Sequence, residues 1–326
     1  MKKTKLPLRF HRNGTFCGDG TFRILLLSDL HGGTYCSPKL FRAIDALLTE
    51  TSPDLVLLGG DLLDPGCFDD GVCTADTLRA YLSCILEPLS RRGIPFAVTI
   101  GDSDRACGMT AEELFAVYGE SPLCISAPGS DVVPVSSSKI DCDARTAYNM
   151  FLLDSTASPD GITFGEAAWY YDTSRAMEEE NRHKIPAILF AHHPIPEYIL
   201  CGENPEETDL TGIRRGTFSY PAHNSGLFMA CLERGDIKGI FSGHEHTSNA
   251  AAVYCGITLA SGGAVGYDMP LSCPTHDDIR GGRVIDLYEN GAMETRYVRL
   301  LDVMGLDALR DPGRFAGGGT DFIRKR

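Results

Sequence analysis

The sequence lacks long hydrophobic runs and an excess of positive charge, and each lack excludes a class of protein. Its apolar pieces, such as residues 24–27, are far shorter than the roughly 18 residues that a membrane-spanning helix needs. Thirty Lys and Arg stand against 44 Asp and Glu, which leaves a formal charge of −14. Proteins that bind nucleic acid or anionic membranes by counterion release carry the opposite charge. We therefore expect no membrane association and no nucleic-acid scaffold role.

Closely spaced cysteine pairs and an export signal are also missing. The 12 cysteines are spread over 326 residues without a C-x-x-C motif, so we expect free or buried thiols in a reducing compartment. Lys2 and Lys3 give the start of the chain the charge of a signal peptide, but the apolar stretch of roughly 7–15 residues that should follow is missing. These two features predict a cytoplasmic protein.

The hydrophobic pattern predicts one large α/β domain. Hydrophobic residues make up 43% of the chain, enough to close a large core. Short apolar strands alternate with helical patterns in the first third, which favours a mostly parallel sheet with right-handed crossovers. We expect a single domain with two sheets at 21–301, rather than two domains, between an N-terminal extension (1–20) and a C-terminal tail (302–326). The predicted strands are 22–27, 54–58, 94–100, 148–153, 186–190 and 237–241, then an antiparallel group at 253–260, 284–288 and 294–299.

Chemically active side chains follow five of these predicted strands. Ligand sites in α/β proteins lie beyond the carboxyl ends of parallel strands, so these side chains are expected to meet. A single Gly-Asp or a single His after a strand is usually structural, but such residues after five strands favour a metal site. The D-x-H and H-x-H motifs each place two side chains on one face of an extended segment. Oxygen and nitrogen donors without thiolates suit Mn, Fe or Zn ions. The strand ends supply Asp29 and His31, Asp61 and Asp64, Asp102 and Asp104, His192 and His193, and His244 and His246.

The order of these blocks resembles the calcineurin-like metallophosphoesterase superfamily, whose motifs are D-x-H, G-D, G-N-H-D/E, H-x-P and G-H-x-H. The resemblance covers roughly residues 21–300. It looks closest to the purple-acid-phosphatase-like branch, judging from residues 190–198 (FAHHPIPEY), 224–227 (NSGL) and 239–246 (GIFSGHEH).

The resemblance implies a four-layer αββα sandwich of two mixed β-sheets. It also implies hydrolysis of a phosphate ester by a hydroxide that bridges two divalent ions. The H-x-P spacing selects His192 over His193 as a ligand. The implied ligands are Asp29, His31 and His246 for one ion, Asp102, His192 and His244 for the other, and Asp61 between them, with Asp64, Asp104 and His193 as their supports.

The third block departs from the family pattern, since it reads Gly-Asp-Ser-Asp instead of Gly-Asn-His-Asp. The carboxylate of Asp102 replaces a neutral ligand, so three carboxylates face two divalent ions and leave one positive charge where the family has two. A less positive centre attracts phosphate less and acidifies water less. Ser103 replaces a histidine that contacts the phosphoryl group, and a hydroxyl is not a cationic acid at neutral pH.

Three interpretations stay open. In the first, the protein is a weak phosphoesterase that acts on a small phosphate ester. His223, which lies between the H-x-P and G-H-x-H blocks, and Ser103 are then the candidates for assisting the leaving group. Alternatively, the fold has lost catalysis and binds metal or phosphate. Least favoured is a structural protein in which the clusters bind nothing. The sequence identifies neither the ester nor whether it is a monoester or a diester.

Overall fold

The structure is a computed structural model that describes residues 6–11, 20–139, 145–158, 161–215, 223–267 and 277–309. The described strands are β1 (Leu8–Arg9), β2 (Thr21–Leu27), β3 (Leu55–Gly59), β4 (Phe96–Thr99), β5 (Asp131–Ser136), β6 (Thr146–Leu153), β7 (Ala187–Ala191), β8 (Ile237–Ser242), β9 (Ala251–Tyr254), β10 (Ile257–Ser261), β11 (Gly281–Tyr288) and β12 (Met293–Arg299). The described α-helices are α1 (Pro38–Thr51), α2 (Ala75–Ile85), α3 (Glu87–Arg92), α4 (Asp102–Ala106), α5 (Ala111–Tyr118), α6 (Phe164–Asn181), α7 (Glu197–Glu203), α8 (Leu227–Arg234) and α9 (Leu300–Met304).

The helices begin where the sequence supplies capping side chains. The hydroxyl of Ser37 accepts from the Lys39 amide at 3.2 Å, and Pro38 occupies the first turn of α1. A reciprocal capping box between Thr110 and Glu113 starts α5. These caps satisfy amide groups that have no partner inside the helix.

The strands form two mixed sheets. The five-stranded sheet has the order β12-β11-β2-β3-β4, in which β2, β3 and β4 run parallel. The seven-stranded sheet has the order β1-β5-β6-β7-β8-β10-β9, in which β6, β7 and β8 run parallel. The predicted antiparallel group adds β11 and β12 to the first sheet and β9 and β10 to the second.

Alternation along the strands separates the core into layers. In β2, Ile24 and Leu26 pack between the two sheets, where they meet Phe190 of the other sheet. The intervening residue Leu25 faces the helices that cover the five-stranded sheet. A third cluster packs α6, α7 and α8 on the outer face of the seven-stranded sheet. The predicted αββα sandwich is therefore confirmed.

Two predictions about local structure are wrong. The predicted strand at 253–260 is a hairpin of β9 and β10, because Cys255 and Gly256 both have positive φ, 48° and 79°, and make a two-residue turn. Residues 120–145 are rich in Ser and Pro and no strand is predicted there, yet β5 forms within this range and pairs antiparallel with β6. Its interior Pro134 is tolerated in a strand that has only the short β1 on its other side.

The two ends of the described chain contact the core. Leu8 and Phe10 are buried between the sheets, and Leu8–Arg9 pairs with β5. Near the other end, Ala308 is buried and its carbonyl oxygen accepts from the Tyr267 hydroxyl at 2.8 Å. The division into extension, domain and tail stays a prediction. No helix of the described chain has the length and apolar character needed to cross a membrane.

One pair of cysteines corrects the expectation of free thiols. Cys36, just before α1, forms a disulfide with Cys84 in α2, across a sequence separation of 48 residues. The pairing results from the packing of the two segments, which cysteine spacing does not reveal. Free cysteines in the described ranges include the buried Cys73, Cys107, Cys201 and Cys231 and the exposed Cys255. The disulfide joins the segment that follows His31 to the helical layer of the five-stranded sheet.

We predict that this disulfide stabilises the fold. The double variant Cys36→Ser/Cys84→Ser should lower the free energy of unfolding by about 2–4 kcal/mol, because the unfolded chain loses a covalent loop. Denaturant unfolding with and without a thiol reductant measures the effect. Reduction should destabilise the wild type and leave the double variant unchanged, and Cys255→Ser is the control. Equal stability of wild type and double variant under oxidising conditions would contradict the assignment.

Candidate metal centre

Five strands from both sheets end at one rim of the sandwich. A proposed ligand follows each of β2, β3, β4, β7 and β8 within three residues. Backbone hydrogen bonds tie the loops together beyond the strands. The amides of Leu30 and His31 donate to the Asp61 carbonyl oxygen at 2.9 and 3.0 Å, and the Gly243 amide donates to the His192 carbonyl oxygen at 3.0 Å. The side chains are thus placed by hydrogen-bonded loops within and between the sheets.

The first group of side chains is fully buried. It contains Asp29, His31, Asp61 and His246, with one ligand atom of each within 4.8 Å of the others. Nε2 of His246 lies 3.1 Å from Asp29 Oδ1 and 3.0 Å from His31 Nε2. Nε2 of His31 lies 3.6 Å from Asp61 Oδ2. These are the residues that the sequence assigns to the first ion, together with the bridge.

The second group shares Asp61 with the first. It adds Asp102, His192 and His244, with the ligand atoms again within 4.8 Å of one another. Nε2 of His192 lies 3.4 Å from Asp61 Oδ2 and 3.3 Å from Asp102 Oδ1, and Nδ1 of His244 lies 3.2 Å from Asp102 Oδ1. The structure therefore brings together all seven proposed ligands, and Asp61 belongs to both groups.

The orientation of two imidazoles is set by hydrogen bonds at Nδ1. Nδ1 of His31 lies 3.1 Å from Asp64 Oδ2, and Nδ1 of His192 donates to the Gly59 carbonyl oxygen at 2.8 Å. An imidazole whose Nδ1 hydrogen is bound in this way presents the Nε2 lone pair to the site. Asp64 therefore supports a proposed ligand. The carbonyl oxygen of Gly59 does the same, although no side-chain motif marks it.

Ser103 contacts the bridging carboxylate. Its amide donates to Asp61 Oδ1 at 2.9 Å, and its hydroxyl donates to Asp61 Oδ2 at 3.1 Å. The sequence suggests Ser103 only as a weak substitute for a catalytic histidine. In the structure, its hydrogen bonds fix the orientation of Asp61, a role that the sequence analysis missed.

Asp104 is buried behind the site and lies outside both groups. Its carboxylate accepts from the amides of Leu63 at 2.8 Å and Gly101 at 2.9 Å, which joins the loop after β3 to the loop after β4. Burial and repulsion from Asp61 raise the pKa of Asp104 to about 7. The residue therefore supports the two loops that carry Asp61 and Asp102.

The two remaining predicted residues, His193 and His223, also lie outside both groups. Nε2 of His193 is 3.4 Å from Asp102 Oδ1, so this side chain borders the second group. His223 is exposed and precedes Asn224, whose side chain donates to Glu197 Oε1 at 2.9 Å. The catalytic role suggested for His223 stays a prediction.

The second group fits a cation. Nε2 of His192 is buried without a hydrogen-bond partner while it faces carboxylate oxygens of Asp61 and Asp102. Burial lowers the pKa of His192, but the two carboxylates outweigh it and raise that pKa well above its ordinary value. For Asp61, burial is outweighed by His192 and His31, which hold its pKa below the usual range. These carboxylates therefore favour positive charge at Nε2, from a proton or a metal ion.

Similarity to known proteins supports a metal site at these residues. A family model described as calcineurin-like phosphoesterase matches residues 22–248. The chain belongs to the calcineurin-like phosphoesterase family. The family predicted from the sequence motifs is thereby confirmed, and residues of both groups fall within the matched range.

Two curated relatives are named as purple acid phosphatases. The Arabidopsis thaliana protein named "Probable inactive purple acid phosphatase 14" is 28% identical over 302 residues, which cover 77% of this chain and 72% of the relative. The protein named "Probable inactive purple acid phosphatase 29" from the same plant is 23% identical over 299 residues, which cover 77% of this chain and 74% of the relative. The likeness to this branch is also as predicted.

Solved structures of low identity share the fold. A dimetal phosphatase from Danio rerio has a TM-score of 0.52 at 10% identity and covers 86% of this chain and 96% of its own. GAP50, described as the anchor in the inner membrane complex of Plasmodium, has a TM-score of 0.57 at 11% identity and covers 88% of this chain and 86% of its own. At such identities the likeness shows the calcineurin-like phosphoesterase fold alone.

We predict that Gly101→Ala weakens metal binding. A Cβ at this position would lie 2.0 Å from Asp61 Oδ1 and 2.4 Å from the Asp61 amide nitrogen, so the bridging residue must move. We expect at least about a tenfold loss of Zn²⁺ affinity in equilibrium dialysis, the size of effect seen when ligand supports are changed. Gly165→Ala in α6 is the control, because its Cβ meets nothing closer than 3.5 Å. Unchanged Zn²⁺ affinity in folded Gly101→Ala would contradict this account.

Proposed function

We propose that this family member is a dinuclear metal-dependent phosphoesterase that hydrolyses a small phosphate ester. The observation that carries the proposal is the pair of four-residue groups that share Asp61. Their oxygen and nitrogen donors suit Mn, Fe or Zn. When bound, the two ions supply an activated water and positive charge for the transferring phosphoryl group.

The protein's contribution is to hold the donors in place before any substrate arrives. Ser103 fixes both oxygens of Asp61, Asp64 orients His31, and the Gly59 carbonyl oxygen orients His192. Fixed donors avoid reorganisation during the reaction. Burial of the first group also removes water that would screen the charges.

Phosphate recognition is assigned mainly to the ions, because Arg105 and Arg215 already have carboxylate partners. Arg105 donates to Asp154 Oδ2 at 2.6 Å and to Thr156 Oγ1 at 2.5 Å. Arg215 donates to both oxygens of Asp278, at 2.8 and 2.6 Å. Three ionised ligand carboxylates and two divalent ions together have a net charge of +1. A centre of this charge attracts an anion only weakly.

Departure of the leaving group receives little help from Ser103. Its hydroxyl donates to Asp61, so that proton is engaged. Without a cationic acid at this position, esters with poor leaving groups lose a factor that is commonly about 10²–10⁴ in rate. Aryl phosphates need little acid help and are therefore the substrates of choice for a first assay.

We predict metal-dependent hydrolysis of an aryl phosphate between about pH 5 and 9, a range that covers the deprotonation of water on divalent ions. Turnover of 4-nitrophenyl phosphate, measured with Mn²⁺, Fe²⁺, Zn²⁺ or Mg²⁺, should require added metal. Asp61→Asn should abolish it, because the bridge belongs to both groups. Fewer than one bound ion per chain under every loading condition would contradict the proposed function.

We further predict that restoring the family pattern raises the rate. Asp102→Asn/Ser103→His returns one positive charge and a cationic side chain to the site. We expect kcat for a poor leaving group such as an alkyl phosphate to rise at least about 10²-fold, the lower end of the range of about 10²–10⁴ for acid catalysis. Asp102→Asn alone separates the charge effect from the acid effect, since it should chiefly lower KM. An unchanged or lower kcat in the double variant would show that the altered block is not an impairment.

The second candidate is a metal-binding or phosphate-binding protein that has lost catalysis. Two observations favour it: the altered third block, and the word "inactive" in the names of the Arabidopsis relatives. Tight binding of Mn²⁺ or inorganic phosphate without turnover of any ester would support this candidate against the enzyme.

A further inference from the structure

We propose that His193 is an additional ligand of the second ion, so that this ion binds three imidazoles instead of two. The inference rests on the proposed dinuclear site and concerns a residue outside both four-residue groups. The neighbouring H-x-P motif points to His192 alone. It is the geometry around Asp102 that brings His193 into the site.

His193 has the hydrogen-bond pattern of the two oriented imidazoles. Its Nδ1 lies 3.1 Å from the Ser155 carbonyl oxygen, as Nδ1 of His192 lies 2.8 Å from that of Gly59. A carbonyl oxygen only accepts, so Nδ1 carries the hydrogen. Imidazole ligands of metals typically bind an oxygen through the other ring nitrogen in this way.

The opposite ring nitrogen faces a carboxylate. Nε2 of His193 lies 3.4 Å from Asp102 Oδ1, close to the 3.3 Å that separates the same oxygen from Nε2 of His192. Since Nδ1 holds the hydrogen in the neutral ring, a nitrogen lone pair and oxygen lone pairs face each other. A cation bound near that oxygen would turn this repulsion into shared coordination, the same role that is proposed for His192.

Asp102 collects the three imidazoles around one atom. Its Oδ1 lies 3.2 Å from His244 Nδ1, 3.3 Å from His192 Nε2 and 3.4 Å from His193 Nε2. The rings of His193 and His244 are also in contact, with centroids 4.6 Å apart. Three imidazole nitrogens thus lie at nearly equal distances from one carboxylate oxygen. This spacing is what we expect when all four atoms are ligands of the same ion.

The backbone holds His193 in this position. Its amide donates to the Ser155 hydroxyl at 3.0 Å, so the residue is attached to the segment after β6 at both backbone and side chain. Ser155 is itself fully buried, and only 18% of the His193 side chain is exposed. A side chain restrained in this way loses little conformational entropy when it binds an ion.

An added imidazole changes what the second ion can do. Asp61, Asp102, His192, His193 and His244 make five protein donors, which leave a six-coordinate ion one position for water or substrate. Catalytic metal sites keep positions open, whereas sites closed by protein ligands are structural. Five donors therefore predict tight binding at the second position and slow turnover.

The test uses ¹¹³Cd²⁺ bound to the full ¹⁵N-labelled chain, because scalar coupling between ¹¹³Cd and an imidazole nitrogen reports a direct bond. We expect coupling at five of the nine histidines. They are His31, His192, His193, His244 and His246. In His193→Gln one coupling should disappear, and Cd²⁺ affinity should fall at least about tenfold at one site and stay unchanged at the other. His183→Gln, at an exposed histidine after α6, is the matched control and should change neither.

The outcomes separate this inference from the proposed function. Two bound Cd²⁺ ions with coupling at four histidines, His193 not among them, would overturn the added ligand and leave the dinuclear site standing. Coupling at His193 together with a tenfold loss at one site in His193→Gln would support it. Fewer than one bound ion in the wild type would overturn both. Retained coupling at His31, His192, His244 and His246 shows that a folded His193→Gln variant is being measured.

Discussion

Repulsion among carboxylates is the constraint on which the site depends. Asp29 and Asp61 are buried, and His192 links Asp61 to Asp102 through contacts of 3.4 and 3.3 Å. Burial raises the free energy of ionised carboxylates, and their mutual repulsion adds to it. Histidines between the acids offset this cost, because each can carry a proton or bind a cation. The αββα fold therefore has to supply enough stability elsewhere, in its three apolar clusters, to hold these side chains together.

Unfavourable backbone conformations at the same rim are a second cost in folding free energy. Four proposed ligands, Asp29, His31, Asp61 and His244, have positive φ, between 47° and 67°. Asp tolerates this left-handed region better than most residues, but non-glycine residues adopt it only where the surroundings impose it. Here the surroundings are the hydrogen bonds that join the loops after the strands. Such unfavourable conformations cluster at functional sites, where they aim side chains that a relaxed loop would direct elsewhere.

The sequence predicted those structural features that follow from a single rule relating a residue pattern to a fold. Strand periodicity predicted one α/β domain with two sheets, the strand-end rule predicted the meeting of Asp29, Asp61 and His192, and the family resemblance implied the αββα layers. The rest depended on contacts between distant backbone atoms. The Gly59 carbonyl oxygen that orients His192 belongs to no side-chain motif, and the Cys36–Cys84 pairing depends on how two helical segments pack. Ser103 was noticed for the histidine it replaces, whereas its hydrogen bonds to Asp61 appear only in three dimensions.

The shared position of Asp61 has a thermodynamic consequence. Ser103 already fixes the orientation of Asp61, so in the proposed dinuclear site the two ions would interact mainly through the charge of the carboxylate that they share. At the same time, the first ion neutralises charge that the second would otherwise encounter. Occupancy of the two positions is therefore linked, and by reciprocity each ion changes the affinity of the other by the same factor. In the proposed dinuclear site, the two positions would therefore bind metal as a coupled pair instead of as two independent sites.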